Sequence, residues 1–133
     1  MTALRVVLAV HGLITLAGGV VLAVFPTAIP ALVGITVERG DYLLVYLVAA
    51  AEFAVAVLSF GAARLTDRTA LGLVIATLVV LHGTSGVLIL VYLALTQVNA
   101  ALVVATVARF AAVAVLLTVW RLSSAHQTYG TSR

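Results

Sequence analysis

The amino-acid sequence predicts an all-α membrane protein, a bundle of four transmembrane helices. Two observations support this prediction. Of the 133 residues, 65% are hydrophobic and only 8% are charged, whereas soluble domains are about 45–50% apolar. The apolar residues also fall into four runs, each close to the roughly 20 residues that a helix needs to cross a bilayer. Most of the apolar surface is therefore expected to face lipid.

Each predicted span ends at a recognisable break. Pro26 and Pro30 end the first span, because proline cannot continue a helical hydrogen-bond ladder, and the charged stretch 38–41 completes that connection. Arg64, Asp67 and Arg68 mark the second break, and the stretch TQVN marks the third. The predicted spans are residues 4–25, 42–63, 70–95 and 100–120, in one membrane domain (1–122) followed by a polar tail (123–133).

The composition excludes several kinds of chemistry. The chain has no cysteine, which rules out disulfides, thiol catalysis and cysteine-ligated metal or iron–sulfur sites. The net charge of +3 comes from seven arginines that are scattered along the chain. No basic patch forms, so a nucleic-acid partner is not expected, and the lipid bilayer is the one partner that the composition requires.

The distribution of the arginines predicts the orientation in the membrane. With four spans, the two termini and the middle turn lie on the same side. That side carries Arg5, Arg64, Arg68, Arg121 and Arg133, and the other side carries Arg39 alone. Arginine-rich segments stay in the cytoplasm. We therefore predict an integral protein of a cytoplasmic-type membrane with both termini cytoplasmic.

The two halves of the chain resemble each other. The histidine–glycine pair of the first span (residues 11–12) recurs in the third (residues 82–83). In the second and fourth spans, AAAEFAVAVLSFGAARL aligns without gaps with TVARFAAVAVLLTVWRL. The repeat predicts two parallel copies of a helical hairpin, and it places Glu52 and Arg109 at equivalent positions.

Four ionisable residues lie deep in the predicted spans. Glu52 and Arg109 are near the midplane, where a charge costs at least about 2.5–3.5 kcal/mol and is usually paired. We predict that the two form a buried salt bridge, which either fixes helix register or takes part in ligand binding or proton transfer. His82 and His11 lie in the other two spans, with His11 roughly 7 Å nearer the cytoplasm at 1.5 Å per residue.

Small and hydroxyl-bearing residues share the helix faces of these four groups, at the i±3, i±4 and i+7 positions. They predict close helix packing around a polar centre. The hydroxyl-bearing members are Thr15, Ser59 and Ser85, and the alanines are Ala49, Ala56, Ala105 and Ala112.

Several functions fit such a centre. Glutamate, arginine and histidine together can bind the oxygens of a quinone ring and exchange its protons. A proton-linked transporter of a small molecule, acting as a dimer, is the main alternative. A bis-histidine haem protein is less favoured because of the offset between the histidines. No H-x-x-x-H spacing predicts a metal site, and a purely structural membrane subunit stays open.

The stretch from Glu52 to Val80, EFAVAVLSFGAARLTDRTALGLVIATLVV, resembles the DoxX-like family of small four-span membrane proteins. Glu52, Gly61 and Arg64 match the family's glutamate, glycine and arginine, and His11-Gly12 resembles an element of its first span. A lysine that follows in the family is absent here. The resemblance implies a quinone-linked membrane subunit associated with oxidoreduction and with membrane redox complexes. Independently of the resemblance, a homo-oligomer or a larger membrane complex is an expected form of so small a membrane protein.

Overall fold

Four long α-helices make up most of the chain in the computed structural model, which describes residues 2–96 and 98–128. The helices are α1 (Thr2–Val24), α2 (Ala28–Leu32), α3 (Tyr42–Ala62), α4 (Arg68–Leu95) and α5 (Ala100–Thr128), with a 3-10 turn at Arg39–Asp41. No strand occurs in the described ranges. All helices except the short α2 are long and apolar enough to cross a membrane. The chain is a small integral membrane protein, and the predicted all-α four-helix bundle is confirmed.

The helix ends follow local chemistry. The Asp67 carboxylate accepts hydrogen bonds from the amides of Thr69 and Ala70, at 2.7 and 3.2 Å. This N-cap starts α4 at Arg68, slightly before the predicted span. Pro30 does more than mark the end of the first span. It lies in the first turn of α2, where the backbone N–H groups have no partner within the helix, so the missing N–H of proline is tolerated.

The last helix, α5, is longer than the predicted fourth span. Trp120 was the expected end of the fourth span, but α5 continues to Thr128. The predicted polar tail of residues 123–133 therefore begins inside a helix, and its residues 129–133 lie outside the described part of the chain.

The long helices pair as two hairpins. α1 packs along α3, and α4 packs along α5, while the contacts α1–α5 and α3–α4 that join the hairpins are less extensive. In each hairpin a phenylalanine lies against a glycine. A Cβ atom on Gly19 would lie 2.8 Å from the Phe53 ring, and one on Gly86 would lie 3.0 Å from the Phe110 ring. Phe53 and Phe110 occupy equivalent positions in the sequence repeat.

The core is concentrated at one end of the bundle. All four long helices contribute to a buried apolar cluster near the N-terminus of α1 and the α3–α4 turn. Its members are Leu4, Leu8, Ala62, Leu71, Ile75, Leu78 and Leu116. The other end has only a small cluster from the first hairpin, formed by Leu22, Val45 and Ala49. The hairpins are thus packed together at one end and open toward the other.

The outer surface is apolar, as the sequence predicted. Large side chains such as Leu13, Val57 and Leu73 are 62%, 73% and 70% exposed. A coat of this kind is expected to contact lipid tails, since a soluble monomer rarely exposes such extended apolar surface.

We expect Gly19→Ala to destabilise the first hairpin, because its methyl group would collide with the Phe53 ring and lie 3.2 Å from the Ala49 carbonyl oxygen. Overpacking of this kind costs about 1–3 kcal/mol. Gly83→Ala is the matched control, since a Cβ there meets nothing within 4 Å. Thermal unfolding in detergent micelles measures both variants, and equal midpoints would contradict the packing described.

Candidate functional site

A cavity of about 910 Å³ lies between the two hairpins in the open half of the bundle. Ligand sites usually have volumes of about 300–1,000 Å³. Its walls come from α1, α3, α5 and the α1–α3 connection, and most of the lining is apolar. On α3 the lining runs from Leu44 to Glu52, which corresponds to a depth of roughly 12 Å at 1.5 Å per residue.

Four of the seven predicted site residues line this cavity: Thr15, Glu52, His82 and Arg109. Each comes from a different long helix, and each lies at the end of the cavity nearest to the packed core. We call these four residues the polar floor. The three remaining predicted residues, His11, Ser59 and Ser85, do not line the cavity but hydrogen-bond to members of the floor or to each other.

The predicted salt bridge between Glu52 and Arg109 is wrong. No salt bridge forms in the part of the chain that the structure describes. The Arg109 guanidinium instead donates a hydrogen bond from Nη1 to Ser85 Oγ at 3.0 Å, and the Ser85 hydroxyl donates to the Leu81 carbonyl oxygen. The reason is architectural: α3 and α5 belong to different hairpins, and the cavity that both residues line lies between them.

Several polar groups of the floor residues have no partner within the described part of the protein. Within the described residues, Glu52 has no hydrogen-bond or ion-pair partner. Arg109 Nε and His82 Nδ1 are buried and also lack a hydrogen-bond partner there. Unpaired polar groups are costly in an apolar environment, so these groups are the strongest indication of a ligand-binding role.

Two histidines join the hairpins just below the cavity. His11 Nε2 on α1 and His82 Nε2 on α4 are 2.7 Å apart, with the rings nearly perpendicular at 85°. His11 Nδ1 lies 2.9 Å from Ser59 Oγ, and the Ser59 hydroxyl donates to the Val55 carbonyl oxygen at 2.8 Å. The expected 7 Å offset between the histidines therefore does not prevent their side chains from meeting.

When both rings are neutral, one placement of the protons satisfies this chain of bonds. The one hydroxyl proton of Ser59 goes to Val55, so His11 Nδ1 must be the donor to Ser59 Oγ. Neutral His11 then has a bare Nε2, which accepts a hydrogen bond from Nε2–H of His82. Neutral His82 is left with a bare Nδ1, the same atom that lacks a partner.

The arrangement does not suit bis-histidine haem. Bonds from a metal to histidine nitrogen are about 2.0–2.1 Å long, so two nitrogens on opposite sides of one ion are about 4 Å apart. The Nε2 atoms of His11 and His82 are 2.7 Å apart and bond to each other. The described residues also contain no group of three or more His, Cys, Asp or Glu side chains that could hold a metal ion.

The alanines predicted for helix packing fall into two groups. Ala49 and Ala56 on α3 are 2% and 1% exposed and allow α1 to approach. Ala105 and Ala112 on α5 line the cavity instead. The sequence around Arg109 was consistent with a cavity as well as with helix packing, because small residues beside a charged one can leave space or permit contact.

Comparisons of the chain with protein-family models, with curated proteins and with solved structures find no match.

Ser59→Ala is expected to destabilise the bundle, because it leaves the His11 Nδ1–H donor unpaired in a partly buried position. Such a loss costs about 1–3 kcal/mol. Thr77→Val is the control, since Thr77 also donates to a carbonyl of its own helix but is exposed and accepts no further bond from a described residue. Denaturant unfolding in micelles compares the two, and equal losses of stability would contradict the proton positions given above.

Glu52→Gln is expected to leave stability unchanged or to raise it, because it removes an unpaired charge and no hydrogen bond or ion pair is lost, whereas breaking a buried ion pair costs about 3–5 kcal/mol. The same unfolding assay measures it, with Ser59→Ala showing that a real loss can be resolved. A loss of the larger size would mean that the carboxylate is paired with Arg109 after all.

Proposed function

We propose that this protein binds an amphipathic, quinone-like molecule between its two hairpins, with the polar head group at the floor and the apolar tail along the cavity walls. One observation supports this most strongly: a cavity with apolar walls ends at Glu52, His82 and Arg109, whose polar groups are incompletely paired. A lipid-like ligand is the class that matches both parts of this lining.

The chemistry of the floor suits a quinone ring. Its carbonyl oxygens accept hydrogen bonds, and the Arg109 guanidinium donates them without ever losing its charge. The hydroxyl groups of the reduced form are donors, and the Glu52 carboxylate and the bare His82 Nδ1 are acceptors. The same site can therefore bind either redox form and exchange protons with it.

The wider assignment is also a proposal. The arginine distribution supports cytoplasmic termini, so that the cavity opens toward the opposite side of the membrane. The pattern of residues 52–80 supports a DoxX-like subunit that works with a redox partner, in a homo-oligomer or a larger complex. Transport is less well supported, since the apolar cluster around Leu78 and Leu116 closes the cytoplasmic half.

Titration of the micellar protein with decylubiquinone, followed by calorimetry, tests the proposal. We expect saturable binding that Arg109→Gln weakens about tenfold or more, because a hydrogen bond to a charged group contributes about 1.5–3 kcal/mol and 1.4 kcal/mol is about tenfold. Arg121→Gln, an exposed arginine on the same helix outside the cavity, is the matched control.

Empty micelles give the background from partition of the quinone into detergent. Failure of the wild-type protein to bind above that background would contradict the proposal. Equal affinities of the wild type and Arg109→Gln would show that the head group does not bind at the floor.

A further inference from the structure

His11 is linked to the cavity by a hydrogen bond, although its own side chain lies outside the cavity lining. It does not line the cavity, but its Nε2 atom is hydrogen-bonded at 2.7 Å to His82, which does. Exactly one proton can lie between the two Nε2 atoms. The pair is therefore a single unit that takes up one further proton, and His82 is the member through which the cavity reaches it.

The bonds around the pair favour proton movement in one direction. When His82 gains a proton at Nδ1, it can pass its Nε2 proton to the bare Nε2 of His11. His11 then keeps Nδ1–H on Ser59 Oγ, at 2.9 Å, and no other bond has to change. The positive charge ends one residue further from the cavity, on an imidazolium whose two N–H groups both have acceptors.

We propose that the ligand is a weakly acidic hydroxyl compound, of the phenol, quinol or enol class, and that it binds as its anion while its proton is held by the histidine pair. This inference rests on the proposed function. The ligand O–H bond breaks as N–H forms at His82 Nδ1, and the His82 Nε2–H bond breaks as N–H forms at His11 Nε2. No electron moves, so no oxidant or reductant is required.

The charges that face the pair support this distribution. Arg109 on α5 is placed to stabilise the ligand oxyanion, and its Nη1 is oriented by Ser85 at 3.0 Å. Arg109 also faces His82 and opposes a cation on that ring, so passing the proton on to His11 moves the positive charge away from the guanidinium. Because His82 Nδ1 is buried, the proposal requires the ligand hydroxyl to reach beneath the floor surface to this atom.

A nitrophenol that carries an alkyl chain is a direct probe, because only its phenolate absorbs strongly in the visible range. The buffer pH is set about one unit below the pKa of the probe in empty micelles, so that the unbound probe is mostly neutral. We expect the probe to be mostly phenolate when bound to the wild-type protein. His11→Gln can still accept the hydrogen bond from His82 but cannot take its proton. The added proton then has to stay on His82, which faces Arg109, so the variant is expected to bind the probe within a few-fold but with a clearly smaller phenolate fraction.

The outcomes separate this inference from the proposed function. A neutral bound probe in the wild type would overturn the proton transfer from the ligand. An equal phenolate fraction in His11→Gln would overturn the second step, from His82 to His11, and both results would leave quinone binding intact. Binding of decylubiquinone without binding of the nitrophenol would overturn the ligand class, and binding of neither would overturn both proposals. Nitrogen-15 NMR of the histidines in the wild type should show a coupling between the two Nε2 atoms. Its absence would overturn the shared proton without any variant.

Discussion

The hydrogen bond between His11 and His82 is the interaction on which the arrangement of the bundle depends. It joins the first hairpin to the second at 2.7 Å, at the level where the packed core gives way to the cavity. In lipid, helices are not driven together by the hydrophobic effect, and hydrogen bonds between helices contribute to their association. Below this level apolar side chains from all four long helices close the bundle, and above it the hairpins separate.

The separation explains why two opposite charges in the membrane are not paired. Arg109 is oriented by Ser85 within its own hairpin, and Glu52 faces the cavity from the other hairpin. Both residues line the cavity between the hairpins. Keeping the charges apart costs stability, and the head group proposed to bind there would offset that cost by contacting both sides. The polar floor is therefore explained better by binding than by helix register.

The sequence was sufficient to predict the four-helix bundle, but not the contacts between the polar residues at its centre. Span length and apolar content locate α1, α3, α4 and α5 to within a few residues at most ends, because lipid imposes a simple rule on them. Depth alone suggested pairing Glu52 with Arg109, but partner choice depends on how far apart α3 and α5 lie. Ala105 and Ala112 illustrate the same limit, since small residues can permit contact or leave space, and only the packing of the hairpins decides.

Accessibility of single cysteines tests the central claim most directly, because the chain has no native cysteine. N-ethylmaleimide should modify Ala105→Cys, which lines the cavity, and bound decylubiquinone should protect it. It should modify Thr66→Cys, in the exposed α3–α4 turn, with no protection, and should not modify Ala62→Cys in the packed core, where the alanine is 2% exposed. Equal modification at Ala105→Cys and Ala62→Cys, or none at Ala105→Cys, would contradict a bundle that is closed at one end and open to a ligand at the other.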